Sequence, residues 1–239
     1  MDNNNIQTFF EACRNNNVDM VNALLQEAEN YAYILDQNDK YYSGIMHASE
    51  NNSFDVMDVL IKINPKATNY LNSDGYDTFA MACKDGNIEV VRRLSNNIDI
   101  KKTLSTKYRH GMTPLMLSVI NEHEGVTNFI VEKLREINDR DIINIIDDGN
   151  ASALTYALQN KNMQIAQLLI NNGSNLEREA VNFNELFRDI GVRFTEEDLQ
   201  NNNTILEKFN EARTIINLQN LEQINNDLQQ NNRNVELID

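Results

Sequence analysis

A short apolar segment ending near a small residue recurs five times along this chain, and that recurrence limits the fold more than any single motif does. The segments are QTFFEAC (7–13), SGIMHAS (43–49), DTFAMAC (77–83), TPLMLSV (113–119) and SALTYAL (152–158). Their small-residue anchors are Ala12, Ala48, Ala82, Ser118 and Ala157, at intervals of 36, 34, 36 and 39 residues. After each anchor come a polar turn and a second apolar-periodic segment: VDMVNALLQ (18–26), FDVMDVLIK (54–62), IEVVRRLS (88–95), VTNFIVEKL (126–134) and MQIAQLLIN (163–171). Apolar residues at i, i+3, i+4 and i+7 place one face of each second segment against a core. Each unit therefore reads as a helix, a tight turn and a second helix. No such unit buries its apolar face alone, so an array of this kind is held together by nearest-neighbour stacking.

TPLMLSV resembles the T-P-L-H-x-A signature of ankyrin repeats, and DGNIEVVRRL (85–94) and NKNMQIAQLLINNGSNL (160–176) are similar to that family's turn and second helix. Only the fourth unit carries the full Thr113-Pro114-Leu115, so the resemblance rests on five units in register over residues 5–176. Tetratricopeptide units would carry a different Trp/Gly/Tyr pattern, and leucine-rich repeats are much shorter. The resemblance implies an all-α, ankyrin-type helical solenoid of about five repeats in residues 1–176, with a helical C-terminal extension in residues 177–239.

The units carry their own punctuation. Alanine anchors let helices approach to ~8–10 Å. Gly75, Gly111 and Gly149 fall where inter-repeat loops reverse, often at positive φ. Thr113 and Ser152 are placed to cap first helices, and Pro114 suits the first helical position. Glu122 to Gly125 read as an insertion that lengthens the turn of the fourth unit. Two long loops should protrude on the side of the hairpin fingers. One spans 96–110 and is basic (Lys101, Lys102, Lys107, Arg109); the other spans 135–147 and holds Ile142, Ile143, Ile145 and Ile146.

After Leu176 the period is lost. Residues 177–190 read as a helix with Ala180, Val181, Leu186, Phe187 and Ile190, and Thr195 to Asp198 form a second start signal. Residues 202–231 read as one long helix with a stripe of Ile205, Phe209, Ala212 and Ile216, continued with an offset by Leu218, Leu221, Ile224 and Leu228. This region either caps the apolar end of the solenoid or pairs with a partner or a second copy of itself.

Charge narrows the partners. Acids outnumber bases 36 to 21, a formal charge of −15, which opposes binding to a phosphate backbone or an anionic membrane. No apolar run approaches the ~20 residues of a membrane helix. Cys13 and Cys83 are too few for a disulfide framework, and MDNNNIQ lacks the features of a secretory signal. A cytoplasmic, reducing location follows, with export to a host cell left open. The chain holds 40 Asn in short runs between apolar segments, where the residue suits turns and helix ends.

No catalytic constellation emerges. Cys13 and Cys83 occupy one slot two units apart, about 20 Å at ~10 Å per stacked unit, with His47 between them. That separation exceeds disulfide reach and scatters any zinc shell, so the thiols read as core residues. His110 and His123 lie on loops without companion ligands. Asp36 to Lys40 suggest a calcium loop, but Tyr41 and His47 stand where Gly and Glu are needed. An active site within 177–239 would have to work without His or Cys. The expectation is a non-enzyme with no cofactor and no metal.

The family resemblance implies that hairpin fingertips and the exposed ends of first helices line a groove that binds another protein. Slot by slot, the fingertips carry Lys40 and Tyr42, Asp74 and Tyr76, then Arg109, His110 and Met112; the helix ends carry Arg14, Glu50, Lys84, Ile120 and Gln159. Tyr42, Tyr76 and Met112 share one slot and would form an apolar ladder, unless the tyrosines pack on neighbouring hairpins. The acidic field favours a basic partner. A monomer is expected, with self-association through the C-terminal helix as the other reading. A second function carries the same features: an adaptor or host-directed effector whose C-terminal helices dock onto other machinery.

Overall fold

The second to fifth units each open where a polar side chain at the end of an extended segment takes up a free amide of a helix. The structure, a computed structural model, describes residues 3–27, 38–39 and 42–176, then 179, 184, 188, 191–193, 195–199, 204, 207–212, 214–215, 218–219 and 221–223. First helices are α1 (Asn3–Arg14), α3 (Gly44–Glu50), α5 (Thr78–Asp85), α8 (Pro114–Ile120) and α10 (Ala153–Gln159). Second helices are α2 (Val18–Glu27), α4 (Phe54–Ile63), α6 (Ile88–Ser95), α9 (Glu124–Glu136) and α11 (Met163–Asn171), with an additional α7 (Ile100–Ser105) between the third and fourth units. Ser43, Asp77, Thr113 and Ser152 cap α3, α5, α8 and α10 by accepting from the backbone N–H three residues on. Pro114 occupies the first turn of α8, where its missing N–H costs nothing.

The turn inside each unit is identical. The N–H five residues after the anchor donates to the anchor's carbonyl: Asn17 to Ala12, Ser53 to Ala48, Asn87 to Ala82, His123 to Ser118 and Asn162 to Ala157, all at 2.8–2.9 Å. The residue before it sits in the left-handed region each time: Asn16, Asn52, Gly86, Glu122 and Lys161, with φ between 54° and 75°. This is the closure that ends a helix by satisfying its last carbonyls. Asparagine then starts several second helices, since Asn17, Asn87 and Asn162 accept from the amides of Met20, Val90 and Ile165.

First helices stack in one file, α1 on α3 on α5 on α8 on α10; α2 lies against α4, and α9 against α6 and α11. All five anchors are buried in this file. Ser118 is tolerated there because its hydroxyl donates to the carbonyl of Leu115 (2.9 Å) and lies 3.0 Å from the Thr127 hydroxyl. Second helices are tied across units by Arg93, which bonds Asp58 at 2.7 Å and covers the Phe54 ring.

Several sequence readings change. Glu122 to Gly125 do not lengthen the fourth turn, which closes like the others; the extra length extends α9 to 13 residues. Segment 96–110 is not a protruding loop, because α7 forms within it, capped by Asp99, and packs on α8 and α9. Ile142 and Ile143 are buried, which draws the second long loop into the core. Positive φ holds at Gly75 and Gly111, while in the next loop Asn150, not Gly149, takes the left-handed position.

Beyond Leu176, Glu179 is fully buried and accepts from the hydroxyls of Ser152 (2.9 Å) and Thr155 (2.8 Å) at the start of α10. Thr195 and Asp198 exchange hydrogen bonds at the head of a short helix, Glu196–Leu199, as the start signal implies. Phe209 and Ala212 are buried, whereas Leu218 and Leu221 are 56% and 57% exposed. Ala180, Val181, Leu186, Phe187, Ile190, Ile205, Ile216, Ile224 and Leu228 lie outside the described residues.

Candidate protein-interaction surface

The loops between units form a row of fingertips built on one bond pattern. Asn72 donates its N–H to Tyr76 (2.9 Å), Tyr108 to Met112 (2.8 Å) and Asp147 to Ala151 (3.0 Å). The first fingertip is a hairpin of Asn38–Asp39 and Tyr42–Ser43, with Asp39 paired to Tyr42. Its tip residue Lys40 lies outside the described residues. Side chains brace the tips: Asn72 Oδ1 accepts from the amides of Asp74 and Tyr76, and Asp147 Oδ1 from those of Gly149 and Ala151. Neighbouring tips touch, since the Asp148 amide donates to His110 O at 3.1 Å, and a side chain on Gly111 would collide with the Asp148 backbone.

Tyr42 and Tyr76 both sit half-buried on their fingertips. The Tyr42 ring lies 5.6 Å from that of His47, and the Tyr76 ring 6.0 Å from that of Tyr108, so each packs on one neighbour and shows a second edge to solvent. Met112 does not continue the ladder. It is 7% exposed, and the Tyr156 hydroxyl of the next unit reaches its sulfur at 3.8 Å, which closes that rung. Asp74, Arg109 and His110 are exposed, with His110 held at φ 60°.

At the helix ends, Glu50, Lys84 and Gln159 are exposed, and Arg14 and Ile120 are half-buried. Arg14 Nη1 lies 3.5 Å from His47 Nδ1, and Lys84 Nζ lies 3.8 Å from the neighbouring Asp85 carboxylate. Burial first, with Asp85 adding to it against a lowering contact from Tyr42, holds the Glu50 carboxyl above its ordinary pKa. Tyr42 is raised in turn, by burial and then by Glu50. Tyr42, Glu50 and Asp85 thus make an acidic stretch on the inner side of the second and third units.

Deeper groups are structural. Tyr108 donates to Asp77 Oδ2 at 2.6 Å, and Tyr156 donates to Asp147. Both cysteines are free; burial pushes the Cys13 thiol up to about 12 and Cys83 well above its ordinary value. Thiols held protonated are poor nucleophiles. His47 is wedged against Phe10 and Tyr42. His123 lies 2.9 Å through Nε2 from the Lys84 carbonyl, over Gly86. Among the described residues, no three His, Cys, Asp or Glu side chains are grouped to hold a metal ion, and no helix is long and apolar enough to cross a membrane.

Slot counting overlooks one feature. Between the fingertips of the second and third loops lies a cleft of about 540 Å³, lined by Leu71, Ser73, Asp74, Gly75, Thr106, Lys107, Tyr108 and Arg109. Leu71 is 54% exposed, and its place just before the turn leaves no periodicity to mark it.

The family comparison agrees with this geometry. A model described as ankyrin repeats (3 copies) matches residues 8–104, 45–141 and 79–180. No curated protein matches the chain. Proteins built from these repeats generally mediate protein–protein interaction and are typically non-catalytic. With matched segments running from residue 8 to residue 180, and with five identical turn closures beneath them, this chain belongs to the ankyrin-repeat family.

Proposed function

We propose that the protein is a non-catalytic interaction module that binds a partner protein along its fingertips and inner helix ends. Residues 1–176 act as the array and 177–239 as its extension. The observation that carries this reading is the pair Tyr42 and Tyr76, repeated in one slot and each left half-open to solvent, with Glu50 beside Tyr42. Aromatic residues are favoured at the centre of interfaces, where they bring area at low entropic cost. Asp74, Arg109, His110, Arg14, Lys84, Ile120 and Gln159 form the remaining contact strip, and the Glu50 carboxylate with Asp85 beyond it favours a basic group facing the second and third units. The buried free thiols suit a reducing, cytoplasmic compartment. The test is replacement of Tyr42 and Tyr76 by Ala in the intact chain. Partner retention should fall by about tenfold or more, a loss in the range of interface hot spots. Unchanged retention by a folded double variant would sink the proposal.

A second reading has its own observation. Leu218 and Leu221, three residues apart, stay exposed while Phe209 and Ala212 are buried, which suits an adaptor whose extension engages a second protein. Truncation at about Gly173 separates the two: repeats that alone reproduce the cellular effect leave the adaptor without support.

A further inference from the structure

The cleft between the second and third fingertips sets an exposed leucine opposite two cations. Leu71 on one wall is more than half exposed. Lys107 and Arg109 on the other are exposed, and neither has an ion-pair or side-chain hydrogen-bond partner among the described residues. Several other cations are engaged: Arg93 with Asp58 and Glu89, Lys101 with Asp139, Lys133 with Glu136. Asp74 faces the cleft as well, so two cations stand against one acid in a chain of net charge −15. The floor is fixed, because Tyr108 is buried, donates to Asp77 and packs on Tyr76.

We propose that this cleft seats an acidic–apolar motif of the partner: a single Asp or Glu carboxylate on Lys107 and Arg109, with an adjoining bulky apolar side chain on Leu71. Guanidinium and carboxylate pair in bidentate geometry, and an exposed leucine gains most from a partner that removes it from water. Asp74 and the surrounding acidic field oppose a polyanion, so the fit is to one carboxylate and not to a phosphate chain. The inference rests on the protein-binding reading and deepens it. The partner segment would present a basic group towards Glu50 and Asp85 and an acidic one towards the fingertips.

The experiment is selection of a displayed random peptide library on the intact chain, followed by anisotropy titration of the best synthetic peptide. Selected peptides should carry Asp or Glu beside Leu, Ile, Met, Phe or Tyr. Their Kd should rise about tenfold or more in Lys107→Ala/Arg109→Ala and in Leu71→Ser, with the charged contribution fading in salt. All three side chains are exposed, so circular dichroism should report unchanged folding. Peptides without a carboxylate, no binder at all, or affinities unmoved in both variants would overturn the inference. Binding of single-stranded DNA that depends on Lys107 and Arg109 would also overturn it. If these fail while Tyr42 and Tyr76 still govern partner retention, the cleft proposal falls alone; if the tyrosine test fails too, the protein-binding reading falls with it.

Discussion

Gly44 and Gly125 look alike in sequence, yet replacing them should have opposite effects. A Cβ on Gly44 would lie 2.7 Å from the Phe9 ring and 3.2 Å from Cys13 Sγ, and Phe9 is fully buried with nowhere to retreat. Gly44→Ala should therefore destabilise by about 1–3 kcal/mol through overpacking. Gly125 meets nothing within 4 Å, so Gly125→Ala in α9 should stabilise by about 0.5 kcal/mol through the unfolded chain. Denaturant titration of both variants checks the signs. Asp77 offers a pH test. Burial raises its carboxyl above 3.8, outweighing the Ala80 amide and the Tyr108 hydroxyl. The folded state thus holds this proton more tightly than the unfolded state. The associated stability is present below the unfolded value and is lost as pH rises through the folded one. Asp77→Asn keeps an acceptor for Ala80 and removes the ionisation. Its unfolding free energy should decline less than wild type from about pH 4 to about pH 7, and a steeper decline would contradict the assignment. The five buried anchors were legible from spacing. Most asparagine roles were not, since capping depends on where a turn closes, which composition does not report.

At the scale of elements, the repeated turn is the unit of regularity. The position four residues past each anchor is left-handed whether filled by Asn16, Asn52, Gly86, Glu122 or Lys161. A side chain there costs roughly 1 kcal/mol relative to glycine. Lys161→Gly should accordingly raise stability by about 1 kcal/mol, since Lys161 is exposed and its N–H bond to Leu158 is retained. Gly86→Ala should lower it by more than that amount, because the new Cβ would also meet the His123 ring at 2.5 Å. Thermal melts of the two variants should move in opposite directions. The helix pairs were readable from their 3.6-residue period, but Gly125 mimicked a turn signal at 122–125. The register of the closure, not the glycine, decides where α9 starts. Segment 96–110 looked like a charged loop because α7 is only six residues long, too short for its periodicity to stand out.

Across the whole molecule, stability comes from each unit packing on its neighbour, and Glu179 bonds the start of the last unit. Glu179→Ala would strip a fully buried acceptor from the Ser152 and Thr155 hydroxyls and should cost about 1–3 kcal/mol, read by denaturant titration. Loss of less than 0.5 kcal/mol would mean that this contact adds little to the array. Solenoid class and family membership were visible in the sequence because they rest on recurrence. Met112 was misplaced because its burial depends on Tyr156, a residue of the following unit whose reach no single-unit pattern encodes. Leu71 carries no sequence signal, and Lys107 stands out only as part of a basic segment, for the same reason: their cleft exists only where two fingertips meet.

The most direct test of the binding surface is hydrogen exchange of the intact chain with and without its captured partner. The account predicts new protection at residues 42–50, 71–77 and 106–111, with α2, α4, α6 and α11 unchanged. Protection confined to those outer helices, with the fingertips exchanging as before, would contradict it.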